Sequence, residues 1–270
     1  MIGRATKAII GRELTRMLRQ RGRLISAMIR PLIWLLVIGS GFGAMLEQHG
    51  SVDYRIFLVP GLLCMVLLFG AMLASLSLVY DKESGVMRML VIAPFSHYWI
   101  ILARTISAAI AGLVQVFLLI VILALMGFMP MPESVLLLIL GLVLTSLICA
   151  SFGMVIAVFS KSLDNFAVIM NFVIFPVFFL SGALYPLSHL PDWIKMITMI
   201  NPFSYGVDLL KHALLADRSI VGMGAEFSVL VDIFVQIGCI TGALLVACIR
   251  FSQAPVMERL ATILSGGKHN

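Results

Sequence analysis

The chain has 270 residues, of which 61% are hydrophobic and 12% charged, with 19 Lys and Arg against 13 Asp and Glu. Soluble domains carry about 25% charged residues, so a soluble enzyme or binding module is excluded, and the mean hydropathy of +1.10 agrees. The basic balance does not mark a nucleic-acid binder, because the cations flank long apolar runs instead of forming a patch of their own.

In chain order, Met1–Arg23 predicts a basic helix. Arg12, Arg16, Arg19 and Arg23 share one face, and Ile10, Leu14 and Met17 share another. Such a helix lies in the headgroup layer with its cations toward anionic lipid; the alternative is a solvated arm that only sets topology. Six apolar runs follow, Leu24–Leu46, Phe57–Val79, Thr105–Phe128, Val135–Phe159, Phe166–Leu184 and Phe227–Ile249. A helix needs roughly 20 apolar residues to cross a bilayer, and no alternating apolar and polar strands suggest a barrel. The predicted fold is therefore all-α and polytopic, with residues 24–249 as a six-helix membrane domain and 250–270 as a tail. If the N-terminus is cytoplasmic, only Arg55, Lys195, Lys211 and Arg218 of the 19 basic residues fall outside. The positive-inside rule then predicts both termini in the cytoplasm. No cleavable signal peptide is expected, since no small-x-small site follows the first run.

Arg30 and Pro31 stand near the inner end of the first run, where Arg30 is expected to snorkel to the interface. Gly39–Gly43 and Gly238–Gly242 are each GxxxG, the spacing that allows close helix approach. The longest internal cytoplasmic loop is 80–104. Within it Lys82–Ile92 predicts a short helix with Asp81 as N-cap, Glu83 in the first turn and Pro94 beyond its end. Met87, Leu90 and Val91 give it an apolar face, fit for docking a partner or for folding back on its own chain.

The fifth run carries Asn171, Pro176 and the aromatic cluster Phe172, Phe175, Phe178 and Phe179. Its polar and kinked character predicts a helix facing the bundle interior, so Asn171, Phe175, Phe178 and Phe179 are candidates for a pathway or a dimer interface. Residues 185–226 are too long and too apolar for a plain loop. Two short helical stretches, one after Pro191 and one over Ser204–Leu215, are broken at Asn201-Pro202. Neither is long enough to span, which predicts a re-entrant hairpin dipping in from outside, or else caps lying on the outer surface. Phe203 and Tyr205 are expected near its constriction, with Asp208 hydrating one face. Asp232 is the only acid inside a predicted span and lies near the outer end.

No phosphate loop, HExxH, GxSxG or paired-histidine motif occurs, and the five histidines, at 49, 97, 189, 212 and 269, are placed in loops or tails. No catalytic residue, metal site or cofactor is expected on this chain. Cys64, Cys149, Cys239 and Cys248 are read as buried free thiols. Without an ATPase motif or a string of intramembrane acids, any active transport draws its energy from another chain.

The DKESGVMRMLVIAPFS loop and the LSGALYP…LPDWIKMITMINPFSYGVDLLKHALL segment, with the six runs and the basic N-terminus, resemble the type-two ABC transporter permease family, and the drug-exporter-like permeases above all. The resemblance implies a permease of the bacterial inner membrane. It implies a dimer, here a homodimer, paired with two ATP-binding-cassette ATPase subunits, which hold ATP and Mg. It also implies that Glu83, Ser84, Gly85, Arg88, Leu90 and Pro94 form the cytoplasmic element that docks on the ATPase. Asn201, Pro202, Phe203 and Asp208 match the outer re-entrant region. Three functions stay open: export of a hydrophobic or amphipathic small molecule or lipid, export of a lipid-linked glycan, and a membrane enzyme or scaffold without transport. With 3 Trp and 5 Tyr, the chain is poor in the rings that line a sugar pathway.

Overall fold

The computed structural model describes residues 11–12, 15, 19, 21–47, 54–86, 97–187, 190–215 and 224–266, and no strand occurs among them. Most of the predicted interfacial helix lies outside the described residues, as do Arg88, Leu90 and Pro94 of the predicted docking element. Eight helices are described: α1 (Arg21–Glu47), α2 (Tyr54–Glu83), α3 (His97–Leu125), α4 (Val135–Phe159), α5 (Leu163–Phe179), α6 (Asp192–Ile200), α7 (Pro202–Leu215) and α8 (Val229–Gly266). Among them α2, α3, α4 and α8 are long and apolar enough to cross a bilayer. The apolar stretches Ala27–Gly41 of α1 and Leu163–Phe179 are shorter.

The bundle is built around α2, which is apolar on every side and packs against α1, α3, α4, α5 and α7. A helix without a polar face belongs in the centre of a protein or a membrane. Its most apolar stretch is 89% buried, against 17% for α8 at the periphery. Small residues set the spacing. A Cβ on Gly61 would sit 2.5 Å from the Ala183 carbonyl oxygen, so α2 and the turn after α5 meet backbone to backbone. Polar side chains join helices where lipid offers no partner: Ser146 Oγ donates to the Ala109 carbonyl on α3 at 2.7 Å.

Chain chemistry explains where helices stop. Gly85 (φ 75°) and Gly127 (φ 76°) take the left-handed conformation just beyond α2 and α3. The α4–α5 connection is held by two serines: the Ser160 N–H closes α4 onto the Ile156 carbonyl, and the Ser162 hydroxyl caps the Asn165 N–H of α5. α4 keeps the predicted bounds. By contrast, α5 ends at Phe179 and not at Leu184, because Pro176 weakens its last turn and Gly182 (φ 72°) turns the chain back. α2 runs on through Glu83, so Asp81 is not the N-cap of a following helix but part of the last turn of α2.

Candidate functional site

At one end of the bundle α2 ends in three charged residues, each with a structural partner. Asp81 is 3% exposed. Its Oδ2 accepts from Arg104 Nη2 of α3, and also from Arg12 Nη2 at 2.8 Å. Arg104 Nη1 donates to Ser77 Oγ at 3.2 Å. A buried carboxylate needs such cations, since the desolvation of an isolated charge is large. Lys82 Nζ donates to the carbonyls of Ala157 (2.8 Å), Val158 (2.7 Å) and Ser160 (3.4 Å), at the C-terminal end of α4. Glu83 Oε1 accepts from the Leu163 N–H, 2.9 Å away, at the start of α5. A cation therefore stands at the negative pole of α4 and an anion at the positive pole of α5. The last turn of α2 thus grips α3, α4 and α5 together, immediately before Ser84 and Gly85 turn the chain away. The sequence singled out Glu83; Lys82 and Arg104 were missed, because nothing in their spacing reveals partners at 157–160 and 81.

Halfway along the bundle, beside Leu68 and Met72 of α2, Asn201 sits between α6 and α7 and ties them to α5. Its Nδ2 donates to the carbonyls of Val177 (2.7 Å) and Leu180 (3.3 Å), while Oδ1 accepts from the Phe203 N–H (3.1 Å) and caps α7. One side chain closes the C-terminus of one helix and opens the N-terminus of another. Asn201→Leu is expected to cost about 3 kcal/mol, because the Phe203 N–H and two carbonyls lose their partner, and to lower the thermal midpoint in detergent by roughly 5–10 °C. An unchanged midpoint would remove this joint from the account.

Phe203 and Tyr205 are buried within this chain instead of standing free near a constriction. Phe203 is 3% exposed and, with Leu68, Met72, Ile148, Phe152 and Val177, lines an apolar cavity. The Tyr205 hydroxyl donates to the Met199 carbonyl (2.7 Å), and its ring lies 4.8 Å from that of Phe227. Gly206 lets α7 press on α4, since a Cβ there would meet Thr145 Oγ1 at 2.5 Å. Asp208 does not hydrate a helix face. It is buried, and its two oxygens accept from the N–H groups of Glu226 (2.8 Å) and Phe227 (2.9 Å). α7 is buried almost throughout, whereas α6 exposes Trp193, Met196, Met199 and Ile200.

A third region joins α1, α2 and α5. The Trp34 ring lies 5.9 Å from Phe178 and 5.8 Å from Phe179, and Phe69 lies 6.5 Å from Phe175. The Arg30 guanidinium sits 4.0 Å from the centre of the Phe69 ring. Phe69 is midway along α2, so the exposed Arg30 side chain stacks on an aromatic face halfway along that helix. Phe178 is buried, while Phe175, Phe179 and Asn171 of the predicted pathway face remain exposed. Of the two GxxxG motifs, Gly39 is occupied by Arg55 and Leu58 of the same chain, whereas Gly238 and Gly242 face open space.

Comparison with known proteins agrees with this architecture. The chain is 26% identical to the putative transport permease ycf38 of Cyanophora paradoxa across 70% of its own length and 66% of that protein. It is 26% identical to the probable multidrug ABC transporter permease YbhR of Escherichia coli K12 across 63% of its length, which spans 46% of YbhR. The inner membrane transport permease YadH of the same bacterium is 26% identical over 84% of the chain and 89% of its own. The family model of the ABC-2 type transporters matches residues 4–215. With that match over most of its length and an apolar bundle of helices, this chain belongs to the ABC-2 type transporter family and is a multi-pass membrane permease.

Proposed function

We propose that the chain is the membrane-spanning subunit of an exporter for a hydrophobic or amphipathic small molecule or lipid, working as a homodimer with two separate ATP-binding-cassette ATPase subunits. In this reading α1 to α5 and α8 cross the bacterial inner membrane, both termini are cytoplasmic, and the Asp81 end faces the cytoplasm. The ATPase docks on the element formed by Glu83, Ser84, Gly85, Arg88, Leu90 and Pro94. The supporting observation is the grip of Asp81, Lys82 and Glu83 on three neighbouring helices, directly before that element. A push on the element reaches α3, α4 and α5 through short polar contacts, and so moves them as a rigid body.

On the outer side, α6 and α7 form a re-entrant hairpin in which α7 is the inserted arm. Because Phe203 and Tyr205 are spent on packing inside the chain, a moving outer gate is better supported on the exposed face of α6, around Trp193, Met196 and Ile200. The exposed aromatics Phe175 and Phe179, with Trp34 and the cation Arg30, support an amphipathic cargo over a sugar chain, which is recognised by many hydroxyl-bonding groups.

Inverted membrane vesicles holding this chain and its ATPase test the reading with a membrane-partitioning fluorescent dye. ATP-dependent dye movement that disappears without this chain is expected. Movement of a lipid-linked glycan with none of the dye would instead establish the glycan reading.

A further inference from the structure

We propose that Asp208, His212 and Asp232 form a divalent-cation site of the zinc class that clasps α7 to the first turn of α8. Asp208 and His212 stand four residues apart on α7, hence on one helix face. α8 brings Asp232 up to them. His212 Nε2 lies 3.8 Å from Asp208 Oδ2 and 3.9 Å from Asp232 Oδ2, and one ligand atom from each residue falls within 4.8 Å of the others. A tetrahedral zinc ion holds its ligands about 2.0–2.2 Å away, hence roughly 3.4 Å from one another. Side-chain rotations that bring these atoms up to about 1.4 Å nearer one another would close the set.

Asp232 points to the ligand. It is fully buried, and neither of its carboxylate oxygens has a hydrogen-bond partner. A buried carboxylate left this way is costly. Local charge points the same way. Asp208 and Asp232 bring two carboxylates to the one imidazole of His212, a charge that a divalent cation balances. The His212 side chain is 24% exposed, against 4% and 0% for the two acids, so the imidazole marks the side from which an ion enters. One nitrogen with two carboxylates suits zinc; calcium and magnesium prefer shells of oxygen. In the ion-free geometry Nε2 donates to the Phe227 carbonyl at 2.8 Å. On binding, the ring changes tautomer: Nε2 releases its proton to solvent while Nδ1 takes one up, the imidazole stays neutral, Nε2 turns its lone pair to the ion, and the Phe227 carbonyl oxygen becomes available as a fourth donor.

The test needs neither the ATPase nor a transport assay, so its failure is separate from that of the exporter reading. The full chain, purified in detergent and stripped of metal with a chelator, is titrated with zinc chloride by calorimetry and by thermal unfolding. One ion per chain and a raised unfolding midpoint are expected. Loss of even an outer-shell partner costs a metal site about 10–100-fold; Asp232→Asn and His212→Gln should each weaken binding by at least that much, while His97→Gln leaves it unchanged. Asp232→Asn keeps the side-chain shape, so it decides the matter even where the histidine variant folds poorly. Absence of saturable binding, or binding that survives both variants, would overturn the proposal. So would an Asp232→Asn chain that gains stability when the wild type shows no zinc response, since Asp232 is then simply a protonated acid.

Discussion

Replacing Asp81 with alanine is expected to destabilise the chain by about 3–5 kcal/mol, because it leaves the guanidinium of Arg104, with 1% of its side chain exposed, buried without its carboxylate. The effect exceeds that of an exposed ion pair, which is worth about 0–1 kcal/mol. Thermal unfolding and the yield of monodisperse protein measure it. The double variant Asp81→Leu with Arg104→Met should recover much of the loss, since a well-packed apolar pair replaces a buried ion pair at little cost. If Asp81→Ala unfolds at the wild-type temperature, this pair does not pin α2 to α3.

The second large effect is on coupling. Lys82→Met removes the ammonium from three carbonyls at the end of α4, and Glu83→Ala removes the acceptor at the start of α5. Glu83 is exposed, so its loss should cost at most about 1 kcal/mol in stability. Permease-dependent stimulation of the ATPase is nevertheless expected to fall on the order of fivefold or more in each variant, the range of a coupling free energy above about 1 kcal/mol. Variants that fold normally and stimulate like the wild type would show that the end of α2 carries no signal to α4 and α5.

These two residues also show how far the sequence could be read. The long apolar runs announced the membrane helices, and the Ser134 and Ser160 caps fixed α4 where it was expected. The end of α2 was misjudged because Asp81, Lys82 and Glu83 look like a solvated loop. Each is consumed by a partner more than twenty residues away in sequence, which no local pattern can announce. The break at Asn201-Pro202 was legible from proline chemistry, and α6 and α7 flank it. That Asn201 also closes α5 was not legible, since Val177 and Leu180 reach it only through the fold. Likewise His212 falls in the helical stretch expected over Ser204–Leu215, but nothing there marks it as a ligand. It lies in α7, and only the approach of α8 sets Asp232 beside it. That Arg30 meets the Phe69 ring was not legible either, since only the packing of α1 on α2 brings the two together.

The central claim is that this chain works only as the membrane half of a larger machine. Native mass spectrometry of the tagged chain, extracted gently from its own host membrane, tests it most directly. A complex of two copies of this chain with two nucleotide-binding subunits, dissociating when the element beginning at Glu83 is altered by Arg88→Glu, is the predicted result. A lone monomer, free of any ATPase and unaffected by that substitution, would contradict it.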